Sequence, residues 1–195
     1  LYSKDSKTLV SATGSSMTKI PSFVEVIGDD AFCGNDHIVD ITIPATVKKI
    51  SYAAFASCDN LRNVIIEGNG LTTVESRAFQ TTKLISLNIP ASVTSFSYDA
   101  FDWAEIILVI CPDGEISQKL TGKDKIQNLL VDTSGTLTGR TFTKKPTCES
   151  DGELKVNFST GSSKTYTIPK SNLYHDYKVD AIKSETCTND GCITY

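Results

Sequence analysis

The apolar positions of this chain recur at a long, fixed period. Ile20-Pro21, Ile43-Pro44 and Ile89-Pro90 share one register, and Ile66-Glu67 fills the remaining place, so the step is 23 residues each time. A second register, Ala31-Phe32, Ala54-Phe55, Ala78-Phe79 and Ala100-Phe101, advances by 23, 24 and 22. Two apolar columns lie between these registers: Val24, Val47, Leu71, Val93 and then Ile27, Ile50, Val74, Phe96. After each Ala-Phe comes a segment L-x-x-I-x-I. It reads Ile38, Ile41, Ile43; Leu61, Val64, Ile66; Leu84, Leu87, Ile89; and Ile106, Val109, Cys111. In the last copy Cys111-Pro112 stands where Ile-Pro stands elsewhere, which makes Cys111 a core residue.

The last two apolar positions of each segment are two apart, which is strand periodicity. Proline then ends the strand, because it cannot donate to a ladder. The V-x-x-I spacing and the Ala-Phe pair return the chain along the far side. One turn cannot bury its own apolar face, but stacked turns bury a continuous core. The pattern therefore predicts a parallel strand ladder, with Phe32, Phe55, Phe79 and Phe101 stacked in a spine and alanines where turns approach closely. Amphipathic helices are excluded, since a proline in each period would break them. Lys7 to Ala12 reads as a strand of an imperfect first turn. Leu1-Tyr2 reads as the continuation of a turn whose Ala-Phe lies upstream, so the chain is expected to be a fragment. Asp113 to Leu120 is expected to form a short helix and Ile126 to Val131 a closing strand, so that 113–131 cap the last turn.

The motif I-P-x-x-V-x-x-I-x-x-x-A-F, followed by Cys58 in one copy and then L-x-x-I-x-I-P, resembles the BspA-like (Treponema pallidum-type) leucine-rich-repeat family over roughly residues 1–112. The resemblance implies a non-enzymatic, surface-exposed or secreted protein. Members occur in anaerobic and gut-associated bacteria and some parasitic protists, and adhere to host matrix proteins, other microbes or epithelium. The family has no fixed binding motif, so the resemblance assigns no contact residue.

Composition shifts at Asp132. Residues 132–145 are rich in Thr, Ser, Gly and Lys, as a linker or irregular connection would be. Leu154, Val156 and Phe158 then alternate at period 2, as do Tyr166 and Ile168 after a Ser/Thr/Gly stretch, which predicts a hairpin with one apolar face. Pro146-Thr147-Cys148-Glu149-Ser150-Asp151-Gly152 is echoed 39 residues later by Thr186-Cys187-Thr188-Asn189-Asp190-Gly191. This resembles the P-T-C-x-x-D-G repeat module of bacterial surface proteins. Ile168-Pro169 and His175-Asp176-Tyr177 match its later features, while Asn157 and Thr160 replace its C-x-x-C pair. A disulfide from Cys148 to Cys187 or Cys192 is a plausible staple, with connectivity open. The second copy breaks off at Tyr195. The expected architecture is thus a mostly β repeat protein: a leucine-rich-repeat solenoid with its cap over 1–131, then a small, incomplete β-rich surface-protein module over 132–195.

Composition changes this picture little. Among 195 residues, 39% are hydrophobic and 22% charged, and the net charge is −4 with no block of like charges. That argues against nucleic acid as a partner, which asks for a basic stripe. The longest apolar run, Ile106 to Cys111, is far short of the about 20 residues a membrane helix needs. No C-x-x-C occurs, and Cys33, Cys58 and Cys111 fall inside repeats as small hydrophobes. His37 and His175 lack clustered ligands, and Asp29-Asp30 and Asp113-Gly114-Glu115 suit turns and helix caps, so no catalytic residue, metal site or cofactor is called for. What remains is surface. The residues between the buried strand positions form the outer face of the ladder: Asp40, Asn63, Ser86, Leu108 and Thr42, Ile65, Asn88, Ile110. The face is polar early and apolar late, and the late part either receives a partner or is covered by the following module. The expected function is an extracellular or cell-surface adhesion module for a host or microbial protein or glycoprotein. A structural spacer displaying a neighbouring domain is the alternative, and a hydrolase the third.

Overall fold

Each turn contributes two strands, on opposite sides of one core. The computed structural model describes residues 1–123, 126–131, 137–147, 149–158 and 160–170, and the chain divides into two units, Leu1–Thr133 and Ser134–Tyr195. In the first unit the L-x-x-I-x-I segments form β3 (Asp40–Ile43), β5 (Asn63–Ile66), β7 (Lys83–Asn88) and β9 (Glu105–Cys111), extended by β10 (Ile126–Val131). They pair in parallel in the order β3-β5-β7-β9-β10. The V-x-x-I segments do more than return the chain. They form the two-residue strands β2 (Val26–Ile27), β4 (Lys49–Ile50), β6 (Thr73–Val74) and β8 (Ser95–Phe96), which with β1 (Thr8–Leu9) of the imperfect first turn make a second parallel ladder, β1-β2-β4-β6-β8.

Between the ladders the repeated apolar positions fill a single core in which nearly all are buried, Cys58 and Cys111 among them. Phe32 and Phe55 stack at 4.8 Å, Phe55 and Phe79 at 5.3 Å, and Phe101 closes the spine tilted by 34°. The Ala-Phe pairs carry their own inter-turn backbone ladder: Phe32 N–H donates to Ala54 O, Phe55 to Ala78 and Phe79 to Ala100, each at 2.8 Å. Alanine keeps these backbones close. Two left-handed residues, one just before and one two after the pair, turn the chain around it. Asp30, Ala53 and Arg77 hold φ between 50° and 57° before the pair, and Gly34, Ser57, Thr81 and Trp103 hold φ between 54° and 69° after it.

The departures from an even period have local causes. Turn three inserts one residue between Ile66 and Leu71, where Gly68 takes φ +60° and Gly70 lies so close to Ala45 that a Cβ would sit 1.7 Å from its carbonyl oxygen. Glu67, standing where proline stands elsewhere, forms an ion pair at 2.8 Å with Lys19 two turns away. At the start, Tyr2 bridges Leu9 in the antiparallel sense, so Leu1–Ser3 fold back along β1 instead of adding a repeat strand in register.

The helix expected after the repeats is α1 (Glu115–Leu120). Asp113 Oδ1 accepts from the Gly114 N–H and the Ser117 hydroxyl at its start, and Ile116 and Leu120 join the solenoid core, which closes the last turn. β10 then pairs with β9, Ile126 opposite Ile106.

The second unit is an antiparallel sheet, β11 (Leu137–Lys144), β12 (Gly152–Phe158) and β13 (Ser163–Ile168). The expected hairpin is β12-β13, with Leu154, Val156, Phe158 and Ile168 buried. Residues 137–144, read from composition as part of a connection, are instead a third strand. Its register shifts between Leu137 and Gly139 and between Phe142 and Lys144, and these irregularities break the period-2 alternation by which a strand is recognised. Cys148, Cys187, Cys192 and His175 lie outside the described residues.

Candidate functional site

The outer face of the long-strand ladder is set by register. Asp40, Asn63, Ser86 and Leu108 stand opposite one another along one row, and Asn128 continues the row in β10. Thr42 faces Ile65, and Asn88 faces Ile110, but the Ile65–Asn88 step is not a backbone pair. There the Asn88 side chain takes over: its Nδ2 donates to Ile66 O and its Oδ1 accepts from Ile66 N–H, both at 3.3 Å. The first row is laced across turns. Asn63 Nδ2 donates to Asp40 Oδ1 at 2.6 Å, and Ser86 Oγ donates to Asn63 Oδ1 at 3.1 Å. Each side chain thus fixes the next, one turn away.

Exposure divides the eight residues, where the pattern left open whether the late part is bare or covered. Asp40 and Ile65 are exposed, and Thr42 and Asn63 are half-buried. Ser86, Asn88, Leu108 and Ile110 are buried, Ser86 and Leu108 completely. The apolar late part of the face is therefore not open to solvent. β7 has neighbours on both edges and is covered on both faces from Leu84 to Asn88, the ordinary condition of a strand inside a parallel sheet. Alternation identifies the side a residue faces; it carries no information on what lies over that side. The open surface is the early part, which also includes Val39, 50% exposed just before β3. Sequence reasoning missed Val39 because it is the first x of its L-x-x-I-x-I segment, ahead of the alternating positions that read as strand.

Elsewhere the chemistry is structural. Buried Cys58 donates its thiol to Phe32 O at 3.1 Å, and burial pushes that thiol up to about 12 and the Cys111 thiol up to about 11. Burial also raises the partly exposed Cys33. Glu25 bridges Lys48 and Lys7 across three turns at 2.7 Å, and hydrogen bonds from those lysines, Lys48 first, pull its carboxyl down to about 2. His37 is exposed and uses its backbone N–H to cap Asn35 Oδ1. Among the described residues no group of His, Cys, Asp and Glu is placed to hold a metal ion, and no helix is long and apolar enough to cross a membrane.

Residues 11–109 match the BspA type leucine-rich-repeat region, in six copies. The chain belongs to the BspA-type leucine-rich-repeat family. These repeats are a non-enzymatic scaffold, and the 23-residue turn with its Ile-Pro and Ala-Phe registers is their unit. Among solved structures, the chain is similar to a leucine-rich-repeat protein from Bacteroides capillosus, at 25% identity over 61% of this chain and 78% of that one, with a TM-score of 0.44. It is also similar to one from Bacteroides ovatus, at 31% identity over 47% of this chain, with a TM-score of 0.41. A third is the Treponema pallidum leucine-rich-repeat protein, at 20% identity over 56% of this chain and 66% of that one, with a TM-score of 0.38. The chain spans only 24% of the Bacteroides ovatus protein. No curated protein matches the chain.

Proposed function

We propose that this BspA-type chain is a cell-surface or secreted adhesion module that binds a host or microbial protein or glycoprotein through the open part of its long-strand face. The match of residues 11–109 to the BspA-type repeats carries this reading. The face narrows to Asp40, Thr42, Asn63 and Ile65, with Val39 at its border. It offers an exposed isoleucine beside polar groups already held in place by the Asp40–Asn63 bond, which lowers the ordering cost of binding. The second unit fits the same setting as a surface-protein repeat module. Pro146-Thr147-Cys148 and Asp151-Gly152 support that assignment, with Ile168-Pro169 after them.

The test is a binding screen of the chain against host matrix proteins and microbial surface preparations, followed by the double variant Thr42→Arg, Ile65→Arg. Both positions point away from the core, so the variant is expected to fold as the parent does and to lose binding at least tenfold. A double variant that binds every partner as well as the parent removes this face from the reading.

A further inference from the structure

The short-strand side of the solenoid carries a groove of about 460 Å³ that none of the preceding function uses. Its lining comes from three successive turns: Tyr52 on one wall, Thr73 through Ser76 along the floor, and Ser95 through Ser97 on the other wall. Val74 and Phe96 are buried at its base, while Tyr52 and Ser95 are exposed at its rim. The polar groups are held before any ligand arrives. Glu75 pairs with Lys49 at 2.8 Å and accepts the Tyr52 backbone N–H at 3.1 Å. Arg77 donates to the Tyr52 phenol oxygen at 3.0 Å, and its guanidinium carbon lies 5.9 Å from the ring centroid. Ser76 and Ser97 both donate their hydroxyl hydrogens to Asp99, at 2.6 and 2.5 Å.

That network fixes what the groove can recognise. With their hydrogens committed to Asp99, the Ser76 and Ser97 oxygens can only accept, and so can the Glu75 carboxylate. The groove is therefore rich in acceptors, it has an aromatic wall, and its charges balance, Lys49 against Glu75 and Arg77 against Asp99. Lys49 is held by Glu75, and the Arg77 charge acts on the Asp99 carboxylate, so the groove presents no net positive charge to an anion. A ligand that suits it presents several hydroxyl donors on one side and an apolar C–H surface on another for an aromatic ring. We propose that this groove is a binding site for a neutral carbohydrate. It lies on the opposite ladder from Ile65 and does not depend on the adhesive face proposed above. Tyr98, in the same repeat column as Tyr52 two turns on, is 70% exposed and extends the aromatic edge beyond Ser97.

The test uses the whole chain against an array of neutral hexose and N-acetylhexosamine oligosaccharides printed beside sialylated and sulfated ones, with saturation-transfer NMR on the strongest neutral member. Binding of neutral members is expected. Tyr52→Ala should weaken it at least tenfold, and Ser95→Arg, which projects a long side chain from an exposed rim position into the groove, should do the same without touching the core. Lys83→Ala, exposed on the other ladder and outside the adhesive face, should leave it unchanged. The proposal is overturned if no neutral glycan binds, if only acidic glycans bind, or if a neutral glycan binds Ser95→Arg as tightly as the parent.

Discussion

The position three residues after each Ala-Phe pair's phenylalanine is filled differently in every turn, by Asn35, Cys58, Thr82 and Ala104, all fully buried. The first three do the same work, each giving a side-chain donor to a main-chain carbonyl. Cys58 donates to Phe32 O, and Thr82 Oγ1 donates to Phe79 O at 2.7 Å. Asn35 does most. Its Nδ2 reaches Ala12 O at 2.6 Å and Ser15 O at 2.8 Å, while its Oδ1 accepts from the His37 and Ile38 backbone N–H groups. Asn35→Ala leaves these groups without a side-chain partner, and a buried polar group stripped of its partner costs about 1–3 kcal/mol. Because the Ala12–Ser15 loop can admit water, the expected loss is about 3 kcal/mol in urea denaturation, not the sum of four such penalties. A loss below about 1 kcal/mol would show that the side chain does not hold the loop. At this scale the sequence was readable where a residue substitutes for an apolar one in register, as Cys111 does. It was silent on Asn35, since the repeat column does not require a polar side chain there.

Elements follow the registers closely where every turn repeats the same spacing, and depart where a turn absorbs an insertion. β3, β5, β7 and β9 fall on the L-x-x-I-x-I segments because two apolar residues at period 2, followed by a breaker, leave few other conformations. The second ladder was not foreseen as a sheet, because two-residue strands carry no alternation to detect. β11 escaped for a related reason, its register shifts. Whether the late part of the long-strand face is covered stays open in the pattern, because side-chain direction is local and cover is not. The insertion in turn three is the element-level feature most exposed to test. Gly70 is needed there for close approach to Ala45, not for its backbone angle: an added Cβ would overlap the Ala45 carbonyl oxygen at 1.7 Å and its carbon at 2.7 Å. Backbone cannot swing aside as a flexible side chain can. Gly70→Ala is expected to destabilise by about 3 kcal/mol, the upper range for overpacking, with the Val47 and Thr72 amides, which donate to Pro44 O and Lys48 O, losing hydrogen-exchange protection first. Gly14→Ala, where a Cβ meets nothing within 4 Å, is the matched control and is expected to stay near the parent.

At the scale of the molecule, the first unit is a line of turns whose cores stack on their neighbours, so a defect should weaken two interfaces in the middle and about one at an end. The phenylalanine spine makes this measurable. Phe55 stacks on both sides, with interplanar angles of 10° to Phe32 and 1° to Phe79, and it is fully buried. Phe101 ends the spine, tilted against Phe79 at 5.7 Å and against Phe96 at 5.4 Å, and is slightly exposed. Deleting a buried phenylalanine side chain costs about 3–5 kcal/mol, more where the surroundings cannot collapse into the space. Two stacked rings in adjacent turns, held by the Ala-Phe backbone ladder, cannot close the gap around residue 55; the looser end around residue 101 can close it in part. Phe55→Ala is therefore expected near the top of that range and Phe101→Ala near the bottom, by chemical denaturation. Hydrogen exchange should separate them further. Phe55→Ala should release the Phe32 and Phe55 amides together, because these donate to Ala54 O and Ala78 O across the two weakened interfaces. Phe101→Ala should release Phe79 and leave Phe32 protected. Equal losses and equal exchange in the two variants would mean that the turns unfold as one indivisible body and that nearest-neighbour stacking is the wrong description of this solenoid.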